Sequence, residues 1–228
     1  MHDSIKEADM MAIGSILPRV EKSKRFGFLP RRMHVWGAGT NQRDLSISGR
    51  HYYHAVRGEK SLIQLQGEHK NVAFGDPGLL VSLMAEKCKP SNHKKLGLIP
   101  HYIDKEHKNL SVFMQNKSSK IIDVYDHPEK VISEIRRCEF IISSSMHGLI
   151  IADAFGIPNV RVVLRESDLD SYKFEDYYSI YDGVGNEFIS AFDDNVKEFV
   201  NIDYESIFDD YNRLRKKSDL NKLNSVKQ

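Results

Sequence analysis

The stretch CEFIISSSMHGLIIADAFGIPNV, Cys138–Val160, constrains the fold more than any other part of the chain. It reads as strand, serine turn, helix, strand. Phe140–Ile142 is a short apolar run. Gly148–Phe155 is a compact apolar helix that Gly156 closes as a C′ glycine, and Pro158 prevents its continuation. Val160–Leu164 is apolar again. Short continuous apolar strands separated by helices suit a parallel sheet covered on both faces. Ser143, Ser144 and Ser145 stand at the C-terminal end of the first strand, where open α/β sheets bind ligands. Hydroxyls and backbone N–H groups at a helix start make an anion site. His147 and Gly148 open the helix; glycine there admits a ligand close to the backbone. The bland alternative is a helix cap made of serines, with His147 a polar surface group.

The same rhythm runs through the chain. Met10–Ile13, His34–Trp36, Tyr53–Val56 and Asn71–Phe74 read as strands, with a helix over Glu59–Gln66. The polar segment Glu86–Lys95, with Pro, Ser and Asn together, reads as a linker. Strands follow at Leu96–Ile99 and Lys120–Val124, and a helix at His127–Arg137 with Pro128 in its first turn. Tyr204, Ile207, Phe208, Tyr211 and Leu214 recur at helical spacing in the tail. The expected organisation is an N-terminal α/β half over 1–88, a second over 93–200, and a C-terminal helix and tail over 203–228.

Charge narrows the partners. The 228 residues carry 33 basic and 32 acidic side chains, a net charge of +1. That balance argues against a broad nucleic-acid footprint while leaving room for a local anion pocket. Cys88 and Cys138 form no CxxC pair and read as reduced thiols. His51 and His54 are three apart in a strand, so alternation sends them to opposite faces, and no metal site is expected. The N-terminus lacks a signal-peptide pattern and no window is apolar enough to span a membrane. A cytoplasmic protein is expected.

Beyond these physical readings, Ser-x-x-x-His-Gly followed by the helix ending Ala-Asp-Ala-Phe-Gly-Ile-Pro resembles the signature of the polysaccharide pyruvyl transferases. IGSIL (Ile13–Leu17), VWGAGT (Val35–Thr40), AVRG (Ala55–Gly58), GDPGLL (Gly75–Leu80), GLIPHY (Gly97–Tyr102) and KFEDYY (Lys173–Tyr178) are similar to that family's other blocks, in the same order. One branch of the family has arginine where Ser145 stands; the Ser-x-His form is closer to bacterial exopolysaccharide relatives.

The resemblance implies two Rossmann-like halves facing a cleft, in the manner of GT-B glycosyltransferases, with the N-terminal half shortened. It implies phosphoenolpyruvate as donor, a saccharide acceptor, lipid-linked or not, and transfer of the pyruvyl group as a ketal with release of phosphate. No cofactor is called for, and peripheral membrane contact is compatible with it. His147 takes the role of general acid. Arg57 and Lys173 are candidates for gripping the donor's anionic groups. Gly39 and Thr40 sit in a glycine turn that could face phosphate, Asp76 caps a turn, and His101 lies at a strand's C-terminal end. The rival readings are a nucleotide-sugar glycosyltransferase of the same design and a non-catalytic saccharide-binding homologue.

Overall fold

The computed structural model describes residues 8–22, 24–25, 29–84, 94–114, 119–181 and 188–192. Cys88, most of the expected linker and the expected C-terminal helix lie outside them. In chain order the elements begin with β1 (Met10–Met11), a 3-10 turn (Leu17–Lys22), β2 (Lys24–Arg25), β3 (Leu29–Pro30), β4 (His34–Trp36), β5 (Tyr52–Val56), α1 (Glu59–Leu62) and β6 (Ala73–Phe74). Then come α2 (Val81–Met84), β7 (Lys94–Ile99), α3 (Leu110–Phe113), β8 (Ser119–Ile121), α4 (Pro128–Arg136), β9 (Cys138–Ser143), α5 (Met146–Ala154), β10 (Asn159–Val163), α6 (Tyr172–Tyr178) and β11 (Phe188–Ser190). The protein is a mixed α/β structure with two parallel sheets. Its chain forms two compact units, and among the described residues 171–181 return to the first of them.

The second unit is built on the sheet β11-β10-β9-β7-β8, all parallel. Strand alternation sorts its core. Leu96, Leu98, Phe140, Ile142 and Val162 fill one face with Leu110 and Phe113 of α3. Ile99 and Ile141 fill the other with Ile135 of α4 and Ala152 of α5. Leu98, Ile141 and Ile142 are wholly buried, each worth roughly 1.5–3 kcal/mol relative to exposure. Both faces are covered, as the apolar runs led us to expect. Helix α5 ends where Gly156 adopts φ +70°, the left-handed conformation of a C′ glycine.

The first unit carries the parallel sheet β1-β4-β5-β6 and the antiparallel pair β2–β3. Met11, Val35 and Val56 gather with Leu17, Val20, Met33, Ile47 and Leu65 into one core. Helix α1 is shorter than the expected Glu59–Gln66. Leu65 turns into the core and its segment bridges Ile47, with Ile47 N donating to Gln64 O and Gln66 N to Ile47 O, both at 2.8 Å. That bridge competes with a second helical turn and wins. Strand β6 starts later than expected because Asn71, at φ +70°, still belongs to the turn. The β2–β3 pair, α6 and β11 were not read from the sequence. His51 and His54 do face opposite ways, one buried and one exposed. Among the described residues, no helix is long and apolar enough to cross a membrane.

His51 gives the first unit a pH-sensitive joint. Its Nδ1 accepts the Met33 N–H at 3.2 Å beside the β4–β5 pair. Burial, aided by Arg50, lowers its pKa from 6.5. A histidine depressed in the folded state stabilises it above the unfolded pKa, and this contribution is lost as pH falls from 6.5 towards the folded value. Urea unfolding should therefore show a lower midpoint at pH 5 than at pH 8. His51→Gln should remove part of that difference; an unchanged difference would place the effect elsewhere.

Candidate active site

The strand order of the second unit places a topological switch between β7 and β9. In chain order its five strands run 2-1-3-4-5 across the sheet, and connections leave in opposite directions on either side of that pair. Ligands of open α/β sheets bind outside the carboxyl ends of strands at such a point. Ile99 and Ser143, in register with each other, end the two strands there.

Serines join those ends. Ser143 Oγ donates to Ile99 O at 2.8 Å and accepts the Ser145 N–H at 3.0 Å. Ser144 Oγ accepts the His101 N–H at 2.8 Å and donates to Asp104 Oδ2 at 2.7 Å. Ser145, in extended conformation, is the N-cap residue of α5, and its carbonyl accepts the Gly148 N–H at 3.1 Å. The hydroxyls of Ser143 and Ser144 thus hold the backbone of the site. Gly148 has the same purpose: a Cβ there would stand 2.5 Å from Ser143 Oγ and 3.1 Å from Ile99. The absent side chain admits the serine turn beneath the helix.

Two imidazoles belong to this edge. His147 lies half-buried in the first turn of α5, its Nε2 withdrawn from solvent. His101 follows β7, with its ring 4.3 Å from that of Tyr102. Sequence reasoning passed over two further residues. Asp104, 2% exposed, takes Ser144 on one oxygen and lies 3.1 Å from Arg165 Nη1 on the other. Arg165 Nη2 donates to the Ile103 carbonyl. Arg165 lies two residues past the end of β10, at the close of the pattern VRVVLR, so its place at the carboxyl edge was legible there.

Of the remaining predicted residues, Gly39, Thr40 and Asp76 lie about Arg57 in the first unit, and Lys173 belongs to the same unit. This guanidinium is fully buried. Its Nε donates to Asp176 Oδ2 at 2.9 Å, Nη1 to Ser15 Oγ at 2.9 Å, and Nη2 to the Thr40 carbonyl. Asp176, also fully buried, accepts Ser61 N–H and Oγ–H, each at 2.7 Å. Burial lowers the Arg57 pKa, opposed by the charges of Asp176 and Asp76. Gly39 lies flat against the guanidinium, where a Cβ would be 2.4 Å from Cζ. A Cβ on Gly58 would strike the Asp176 carbonyl at 1.7 Å. Gly39 and Gly58 therefore make room for a buried ion pair that docks α6, whereas Gly37 makes room for Pro77 and the Gly75 carbonyl. Lys173 is half-buried on α6, its Nζ 5.1 Å from the Phe174 ring. Among the described residues, no group of three or more His, Cys, Asp or Glu side chains is placed to hold a metal ion.

The polysaccharide pyruvyl transferase pattern matches residues 26–165, more than half of the chain. The chain belongs to the polysaccharide pyruvyl transferase family. The match contains the serine turn, His147, His101, Asp104, Arg165 and Arg57, and stops short of Lys173. The chain is 35% identical over 136 residues to the uncharacterized protein L143 of Acanthamoeba polyphaga mimivirus, covering 56% of this chain and 47% of that one. It is 26% identical over 176 residues to the succinoglycan biosynthesis protein ExoV of Rhizobium meliloti (strain 1021), covering 75% of this chain and 53% of that one. The chain spans about half the length of these curated relatives. No solved structure matches it.

Within this family member the Arg57–Asp176 pair is predicted to be structural. Arg57→Ala and Asp176→Ala should each cost roughly 3–5 kcal/mol, because each strands a buried opposite charge. The double variant should cost less than the sum. Chemical denaturation would show it. Unchanged stability with loss of donor affinity would instead assign Arg57 to the substrate.

Proposed function

We propose that this chain transfers the pyruvyl group of phosphoenolpyruvate to two hydroxyls of a saccharide, forming a ketal and releasing phosphate, with the donor at the β7/β9 switch point of the second unit. One observation carries the reading: the family's Ser-x-x-x-His-Gly segment is folded there as a serine turn with His147 opening α5. Family membership and the likeness to a succinoglycan biosynthesis protein support a polysaccharide substrate.

The chemistry makes three demands. The donor's methylene carbon needs a proton, which makes C2 electrophilic. A sugar hydroxyl then adds to C2, and a second hydroxyl displaces phosphate from the same carbon. Two hydroxyl protons are released: one restores the acid, the other leaves with phosphate. A positioned imidazole is suited to the first proton transfer and to recovering a proton afterwards. His147 takes that role. The donor's carboxylate and phosphate need cationic and N–H partners in a site shielded from water. Arg165 is the guanidinium of this edge, held in place by Asp104, while the start of α5 supplies backbone N–H groups. The first unit, stiffened by Arg57 and Asp176, is assigned to the acceptor. No redox step occurs.

The test uses purified chain, phosphoenolpyruvate and oligosaccharide acceptors, following phosphate release. His147→Ala should lower kcat by at least ~100-fold, the usual contribution of a positioned acid or base. Arg165→Ala should raise the KM for phosphoenolpyruvate about tenfold or more, as expected for a lost charge-assisted hydrogen bond. Full turnover in His147→Ala would remove it from the acid role. A thermal shift with nucleoside diphosphate and none with phosphoenolpyruvate would favour a glycosyltransferase.

A further inference from the structure

Among the described residues, the first unit's sheet has a face that its core does not use. Along β1, β4 and β5 alternate residues point outward: Met10 is 57% exposed, Trp36 36% and Tyr52 45%, and His34 and His54 are exposed beside them. Parallel sheets are usually covered on both faces by apolar side chains. This face instead bears rings with polar edges. His34 and Tyr52 are paired in register, with ring centroids 4.9 Å apart at 28°. His34 Nδ1 and His54 Nε2 share a hydrogen bond of 2.8 Å, and their rings are within 2° of parallel. The Arg32 guanidinium lies 5.4 Å from the Tyr52 ring centroid, with Nη1 3.4 Å from the phenol oxygen.

We propose that this face is a docking platform for a stretch of pyranose polysaccharide, additional to the donor site on the second unit. The proposal rests on the family reading that the acceptor is a saccharide polymer. A pyranose ring offers an apolar C–H face and a rim of hydroxyls. The face packs on aromatic rings through dispersion and burial of apolar surface. The rim needs donors and acceptors at the ring edges, which imidazole nitrogens, a phenol and a guanidinium provide. An apolar protein partner would have to cover the polar edges of two histidines, a phenol and a guanidinium on this face. The rings stand on hydrogen-bonded strands, so little side-chain freedom is lost on binding. Charge is complementary too. Arg32 places positive charge at the edge of the platform, whereas Asp9, on the strand side, is ion-paired with Arg31. The arrangement suits sugars that carry carboxylates as well as hydroxyls.

Trp36 is the chain's only tryptophan, so emission excited selectively at the indole, beyond tyrosine absorption, reports on this face. Titrating the whole chain with cellotetraose and with tetragalacturonate should shift that emission saturably for at least one of them. Tighter binding of the uronate at low salt would identify carboxylate as the group Arg32 takes. Tyr52→Ala and His34→Ala should each weaken binding about tenfold, the scale of one lost stacking contact. Circular dichroism and melting should stay as in the parent chain, and His147→Ala should leave sugar binding intact. No response to either sugar, or equal binding by Tyr52→Ala, would overturn the proposal. So would emission that changes with protein concentration and not with sugar, which would mean that a second copy covers the face. Sugar binding without phosphoenolpyruvate turnover would sink the proposed activity and leave the platform. Turnover without sugar-dependent emission would do the reverse.

Discussion

Beyond their strand ladder, the carboxyl ends of β7 and β9 are tied together by two serine hydroxyls, and the chemistry we propose for the second unit depends on that join. Ser143 Oγ donates to the Ile99 carbonyl, and Ser144 Oγ accepts the His101 N–H and donates to Asp104. A parallel pair at a topological switch is where the sheet opens to a ligand. The serine hydroxyls extend the ladder and the Ser144 N–H to Ile99 O bond into the two loops beyond the strand ends. With them, His101, Asp104, Arg165 and the first turn of α5 hang from one hydrogen-bonded frame. Gly148 completes the frame by leaving Ser143 the space a side chain would occupy. Positioning of this kind, rather than any single strong contact, is what acid–base chemistry asks of a scaffold.

The first unit solves a different problem with the same economy of side chains. Its sheet is narrow, and helix α6 arrives from far along the chain. A buried arginine binds it: Arg57 meets Asp176 across 119 residues, and Asp176 in turn holds Ser61. A buried ion pair adds little net stability against a well-packed apolar alternative, but breaking it is costly. Its value lies in specifying one register for α6, since a shift would leave both charges unsatisfied. Gly39 and Gly58 are small because guanidinium and helix backbone lie where their side chains would be.

These details mark the boundary of what the sequence made legible. Strands β7, β9 and β10 and helices α4 and α5 were readable because their signals are local: continuous apolar runs, a proline in a first turn, a glycine at a helix end. The serine turn was placed correctly at the strand's end for the same reason. Its internal use was hidden, since Ser144's partners His101 and Asp104 are about forty residues away and form no pattern with it. Arg57 was read as facing a ligand because an arginine between strand and glycine looks available; only the fold shows Asp176 against it. Helix α6 was missed because Tyr172, Phe174 and Tyr177 are buried without a clean helical stripe. Helix α1 was overread because nothing local announces that Leu65 will bridge Ile47.

In the reaction we propose, an acid at the β7/β9 edge protonates the donor's methylene carbon on the way to a ketal. Turnover in deuterated water, with phosphoenolpyruvate labelled with carbon-13 at C2 and followed by NMR, reads that step directly. C2 should become a ketal carbon bearing two sugar oxygens, with one solvent deuterium in the methyl group attached to it. A product that keeps the enol methylene, or sugar transfer that leaves the donor untouched, would contradict it.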